Sequence, residues 1–234
     1  MAKRVEILFL ITTYNRPHLL KDLLLDIAEL PCTYKVLIFD DCSTVDYSEV
    51  EEVIPELHKC EYYRLSKNHG KRQFWKLQNI MYNHVRCEEF DYCIGLLDDM
   101  RLVEGFYPLA IDMFEESDAD LLNIVMPETM PDFLNSQGAQ QFSVNGFTYW
   151  DYHWNDLCYI TTVDYFESID YTCPEVPLRR WIRNTNATSG VGSVLTNKFA
   201  DMGGSIVMVT KSLLKHTGQV SVMNTHRKGY NSLL

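Results

Sequence analysis

Val5-Glu6-Ile7-Leu8-Phe9-Leu10-Ile11-Thr12-Thr13-Tyr14-Asn15-Arg16-Pro17 is the stretch that decides the fold class. Val5 to Ile11 is an apolar run that reads as a buried strand and is far too short to span a bilayer. Thr12 to Pro17 breaks the pattern. Leu19, Leu20, Leu23, Leu24 and Ile27 then recur at helical spacing, with Pro17 placed to open the helix. The unit is strand, polar loop, helix.

The same order recurs downstream. Tyr34 to Phe39 forms a second strand ending on Asp40-Asp41-Cys42-Ser43-Thr44, and a short strand at Tyr62 to Leu65 runs into the Asn68 to Arg72 loop. Phe74 to Val85 reads as helix. Tyr92 to Leu97 is an apolar strand running directly into Asp98-Asp99, followed by a helix over about Gly105 to Glu116 and a strand over Ala119 to Val125. Strands alternating with helices imply an α/β fold with a mostly parallel central sheet and right-handed crossovers. In such a sheet ligands bind beyond the carboxyl ends of the strands, so four polar loops share one rim. Pro127 to Gly146 reads as loop, and Phe147 to Trp154 is an aromatic block split between core and ligand contact.

Bulk composition narrows the class. The 234 residues suit one large domain, with a nucleotide-binding half at about 1–126 and an acceptor half at about 127–234. Seven scattered cysteines show no zinc-site spacing and read as reduced thiols of a cytoplasmic protein. A net charge of -11 repels polyanions, so contact with nucleic acid would rest on local basic and aromatic islands. Two such islands are Lys67 to Lys76 and Arg179-Arg180-Trp181-Ile182-Arg183.

Adjacent carboxylates at a strand end need a cation, and an oxygen-rich site suits Mg²⁺ or Mn²⁺. Asp98 and Asp99 are therefore metal candidates, the alternative being an acidic helix start favoured by the helix dipole. Asp40 and Asp41 can accept hydrogen bonds from a nucleobase or ribose, or can act as caps.

Ile11 to Pro17 with Leu19-Leu20, Ile38 to Thr44, Asn68-His69-Gly70-Lys71 with Leu77-Gln78-Asn79, and Leu97-Asp98-Asp99 together resemble the serial motifs of family-two glycosyltransferases of the GT-A fold. The resemblance implies a single Rossmann-like GT-A domain, a nucleotide-diphosphate sugar donor, commonly a uridine nucleotide, and Mn²⁺ or Mg²⁺. It places Thr12, Thr13, Tyr14, Arg16, Asp40, Asp41, Lys71, Arg72 and Asp98 around the donor, and Asp99 with His216 at the metal, His226 being the reserve ligand. One acidic position of the family's metal motif is replaced: by Leu97 if Asp99 is the direct metal ligand, the register preferred because Met is a poor ligand for a hard cation, or by Met100 in the other register. The acidic pair expected before the penultimate helix is also replaced, by Thr188-Ser189-Gly190-Val191-Gly192.

The base is therefore sought elsewhere, at Asp156, with Asp151 and Asp164 behind it. Trp150, Trp154, Arg180 and Trp181 are the acceptor candidates. Trp154-Asn155-Asp156, Ser189 to Gly192 and Ser212 to His216 are similar to elements of bacteriophage glycosyltransferases, some of which decorate hydroxymethylated bases in DNA. That implies a DNA acceptor. The alternatives are a saccharide acceptor or a nucleotide-sugar-binding module without activity.

Overall fold

The computed structural model of the chain describes residues 5–217 except residue 156. Its first half runs β1 (Glu6–Thr13), α1 (Pro17–Ala28), β2 (Thr33–Asp40), α2 (Ser48–Glu51), β3 (Cys60–Arg64), α3 (Gly70–Val85), β4 (Tyr92–Leu97), β5 (Met100–Leu102), α4 (Phe106–Ser117) and β6 (Leu121–Asn123). Beyond it come α5 (Met130–Ser136), β7 (Gln140–Val144), β8 (Phe147–Asp151), β9 (Tyr159–Thr161), α6 (Val163–Ser168), α7 (Arg179–Arg183), α8 (Val191–Asp201), β10 (Ile206–Val209) and β11 (Leu214–His216).

The large sheet has the order β3-β2-β1-β4-β9-β6-β10-β8-β7, with β11 and β5 pairing separately. From β3 to β4 every neighbour is parallel, as expected from the strand and helix alternation. Antiparallel partners enter at β9, which separates β4 from β6, and again at β8 and β7. The sheet is therefore mixed.

β1 shows why its sequence is apolar throughout. Ile7, Phe9 and Ile11 pack on one face with Leu20, Leu23, Leu24 and Ile27 of α1, while Leu8 and Leu10 pack on the other with Phe74, Leu77 and Met81 of α3. A central parallel strand covered by helices on both faces has no solvent side and needs no alternation. Edge strands differ. β7 is largely exposed and alternates weakly, so the stretch read as loop from Pro127 to Gly146 lacks an apolar strand signal although it holds both α5 and β7.

One close approach fixes how α8 seats on the segment after β8. A Cβ at Gly192, in the first turn of α8, would lie 2.2 Å from the backbone oxygen of Asn155. Asn155 cannot retreat, because its N–H donates to Thr196 Oγ1 at 2.8 Å and its side chain to the Tyr165 hydroxyl at 3.1 Å. Gly192→Ala should lower the free energy of unfolding by about 2–3 kcal/mol in a urea titration, through overpacking.

Candidate active site

The rim is assembled by backbone bonds between loops. Asp41 N–H donates to the Thr13 carbonyl at 3.0 Å, and Asp98 N–H to the Thr12 carbonyl at 3.3 Å, so the ends of β2 and β4 are fastened to the end of β1. On the far side of the acid pair, β11 lies antiparallel to β5 with His216 opposite Met100. Thr217 N–H donates to the Asp99 carbonyl at 2.9 Å. This pairing brings a residue more than a hundred positions away onto the acid pair, with His216 Nε2 at 3.3 Å from Asp99 Oδ2.

The two aspartates have different environments. Asp98 is fully buried. Its Oδ2 accepts from Thr13 Oγ1 at 2.8 Å, from Tyr14 N–H at 3.4 Å and from Arg16 Nε at 3.3 Å, and Arg16 Nη2 contacts its Oδ1. Burial pushes its carboxyl up to about 7, outweighing the pull of Arg16. Asp98 thus faces into the protein, which argues against the donor contact expected of it. Asp99 lies at the rim. Burial would raise it too, but the hydrogen bond from His216 and the charge of Arg16 prevail and hold it below the usual carboxylate range. Arg16 Nη1 and His216 both occupy Asp99 Oδ2, whereas Oδ1 is buried with no partner among the described residues, as is Thr217 Oγ1.

Asp40 and Asp41 also work internally. Asp40 is fully buried, accepting from Ser43 N–H at 2.8 Å and the Tyr62 hydroxyl at 2.7 Å, with Arg64 Nε at 3.3 Å. Asp41 accepts from the backbone N–H groups of His69 and Gly70, each at 2.8 Å, and from His69 Nδ1 at 2.9 Å. It caps α3 from another loop, which satisfies donors the helix leaves open. Thr12 is nearly buried beside it, and Lys71 Nζ reaches the Thr185 carbonyl at 3.1 Å. Arg72 is exposed.

The chain matches the model of Glycosyl transferase family 2 over residues 9–152, more than half its length. The chain belongs to this family. S. aureus TarS is similar at TM-score 0.63 and 16% identity over 91% of this chain and 37% of that one. The 1–349 portion of TarS in complex with UDP-GlcNAc gives TM-score 0.62 and 15% identity over 93% and 62%. The mannosyltransferase PcManGT from Pyrobaculum calidifontis, in complex with GDP-Man and Mn²⁺, gives 0.62 and 13% over 98% and 59%. The chain spans less than two thirds of each. No curated protein matches it. The family and these likenesses establish the GT-A architecture.

Within this family 2 chain, the acceptor candidates separate. Trp150 is buried against Leu134 and Met208, and Trp181 in the cluster under α3 and α8, so neither offers a face to an acceptor. Arg180 is engaged by Thr188, its Nη2 lying 2.9 Å from the hydroxyl oxygen. Trp154 is half-buried beside Gly192 and keeps an exposed portion. Asp164 is displaced for a topological reason. β9 runs antiparallel to β4, with Tyr159 opposite Gly95 and Thr161 opposite Cys93, so the residues after Thr161 lie at the end of the sheet away from the rim. Asp151 is exposed on β8, and Asp156 and His226 lie outside the described residues.

Tyr47 had no signal in the sequence, since it sits in a polar stretch. Its hydroxyl donates to Thr13 at 2.8 Å and accepts from Ser43 and the Arg16 N–H, so it braces the loops after β1 and β2 against each other. Among the described residues no helix is long and apolar enough to cross a membrane. Trp181→Ala should cost about 3–5 kcal/mol of stability by chemical denaturation, the cost of emptying a large core site.

Proposed function

We propose that the chain transfers a sugar from a nucleoside-diphosphate donor, with uridine as the base, to an acceptor hydroxyl, and that a divalent cation supports the transfer at Asp99. The observation carrying this reading is the meeting of Asp99 and His216 at the rim of a family 2 fold, 3.3 Å apart, beside the unpartnered Asp99 Oδ1. Among the described residues no group of three or more His, Cys, Asp or Glu side chains is arranged to hold a metal ion. One carboxylate and one imidazole nevertheless fit Mg²⁺ or Mn²⁺, which keep positions for water and substrate phosphate oxygens. A bound ion would supply charge neutralisation of the diphosphate leaving group.

The chain's own groups contribute in distinct ways. Asp99, held low by His216 and Arg16, stays ionised and available to a cation across neutral pH. Lys71 and Arg72, at the start of α3, bring positive charge to the rim where the diphosphate is expected. Asp41 keeps that helix start in place, and Asp40 holds the β2 loop.

Asp156 is the proposed base, and Trp154 the proposed acceptor contact. On either side of Asp156, Asn155 Oδ1 accepts from Leu157 N–H at 2.9 Å. A carboxylate there would take the proton of the acceptor hydroxyl as the donor bond breaks. A DNA acceptor loses its support: Phe74 and Trp181 of the basic islands are core, as is Trp150 outside them, and the net charge is -11. A saccharide hydroxyl is the acceptor class this leaves.

The test is release of nucleoside diphosphate from UDP- and GDP-sugars, with Mn²⁺ or with EDTA, by wild type and Asp99→Ala. Release that needs Mn²⁺ and falls at least about a hundredfold in Asp99→Ala is expected. Donor breakdown unaffected by either would reject the assignment, and none from any donor would favour a binding module.

A further inference from the structure

Asp98 carries a cost that the donor reading leaves unanswered. A fully buried carboxylate beside a second one is tolerated only with a cation in contact, and Arg16 is that cation. Its Nε and Nη2 engage the two oxygens of Asp98, while Nη1 reaches across to Asp99 Oδ2 at 2.7 Å. One planar fork therefore bridges both carboxylates, a geometry that an ammonium group cannot reproduce.

The backbone holds Arg16 for this task. Asn15 takes a left-handed conformation, φ 55°, its N–H donating to Ser43 Oγ at 2.8 Å and its side-chain oxygen accepting from Thr44 N–H at 2.7 Å. Pro17 then starts α1, and the Arg16 carbonyl receives the N–H groups of Leu19 and Leu20. The Arg16 side chain is only 16% exposed.

We infer that Arg16 is the resident counter-ion of the Asp98–Asp99 pair and sets the affinity of Asp99 for a divalent cation by competing with it. The inference rests on the metal assignment made for Asp99 above. An ion arriving at Asp99 meets a guanidinium already on Oδ2, and His216 Nε2 on the same oxygen. Repulsion between the two cations weakens the ion's hold, while Arg16 keeps the rim folded when no ion is present. Arg16 is thus a positioning residue rather than a donor ligand.

The test uses Mn²⁺ alone, followed by the paramagnetic signal of the free ion, together with thermal unfolding in EDTA and in Mn²⁺. Arg16→Gln should unfold roughly 5–10 °C below wild type in EDTA, recover most of that difference in saturating Mn²⁺, and bind Mn²⁺ at least about tenfold more tightly. Arg16→Lys keeps the charge but loses the fork. It should bind Mn²⁺ about threefold more tightly than wild type, and it decides the matter if Arg16→Gln does not fold in EDTA.

Unchanged or weaker Mn²⁺ binding in the variants would overturn the inference, as would absence of binding in all of them. UDP is titrated in parallel. A UDP-induced thermal shift with invariant Mn²⁺ affinity overturns the role of Arg16 and leaves the donor reading standing. Tightened Mn²⁺ binding without any nucleotide shift supports the role of Arg16 and rejects the donor reading.

Discussion

The rim depends on the buried carboxyl group of Asp98 and the hydrogen bonds it accepts. This carboxylate holds Thr13 at the end of β1, the Tyr14 N–H in the loop beyond, and Arg16 at the entry to α1. A buried ion that loses its partner costs about 3–5 kcal/mol, so one interaction ties the first and fourth strands to the first helix. Its neighbour inherits the consequence. Arg16, drawn in by Asp98, also reaches Asp99, and that leaves one oxygen of Asp99 engaged and the other without a partner.

The other rim carboxylates follow the same logic with different partners. Asp40 holds its own loop and the tip of β3 through Tyr62 and Arg64, and Asp41 closes the start of α3. Carboxylates that satisfy buried N–H and O–H groups rigidify the loops carrying them. Such a scaffold holds the rim side chains in place, and preorganised charge is what the proposed transfer would need at a diphosphate leaving group.

Much of the fold was legible because periodicity reports burial. The apolar runs of β1, β2 and β4 belong to strands covered on both faces, and Leu19 to Ile27 carried the helical spacing of α1. β7 was missed because an exposed edge strand has little hydrophobic pattern to show. Asp99 and His216 were grouped only through the family resemblance, since more than a hundred positions separate them in the chain. The burial of Asp98, in contrast, depends on which way each member of an adjacent pair turns at a strand end, and residue type does not encode that. Trp150 and Trp181 misled for a related reason: an aromatic side chain reads alike whether it will stack on a ligand or fill the core. Tyr47 was invisible, its role arising only when the loops after β1 and β2 meet.

The most direct measurement is a crystal structure of the chain with UDP and Mn²⁺, the ion located by its anomalous signal. Mn²⁺ is expected on Asp99 and His216, UDP across the rim between the ends of β1, β2 and β4, and Arg16 still paired to Asp98. Nucleotide or Mn²⁺ bound on another face, with the Asp99 and His216 pair unchanged, would contradict this assignment.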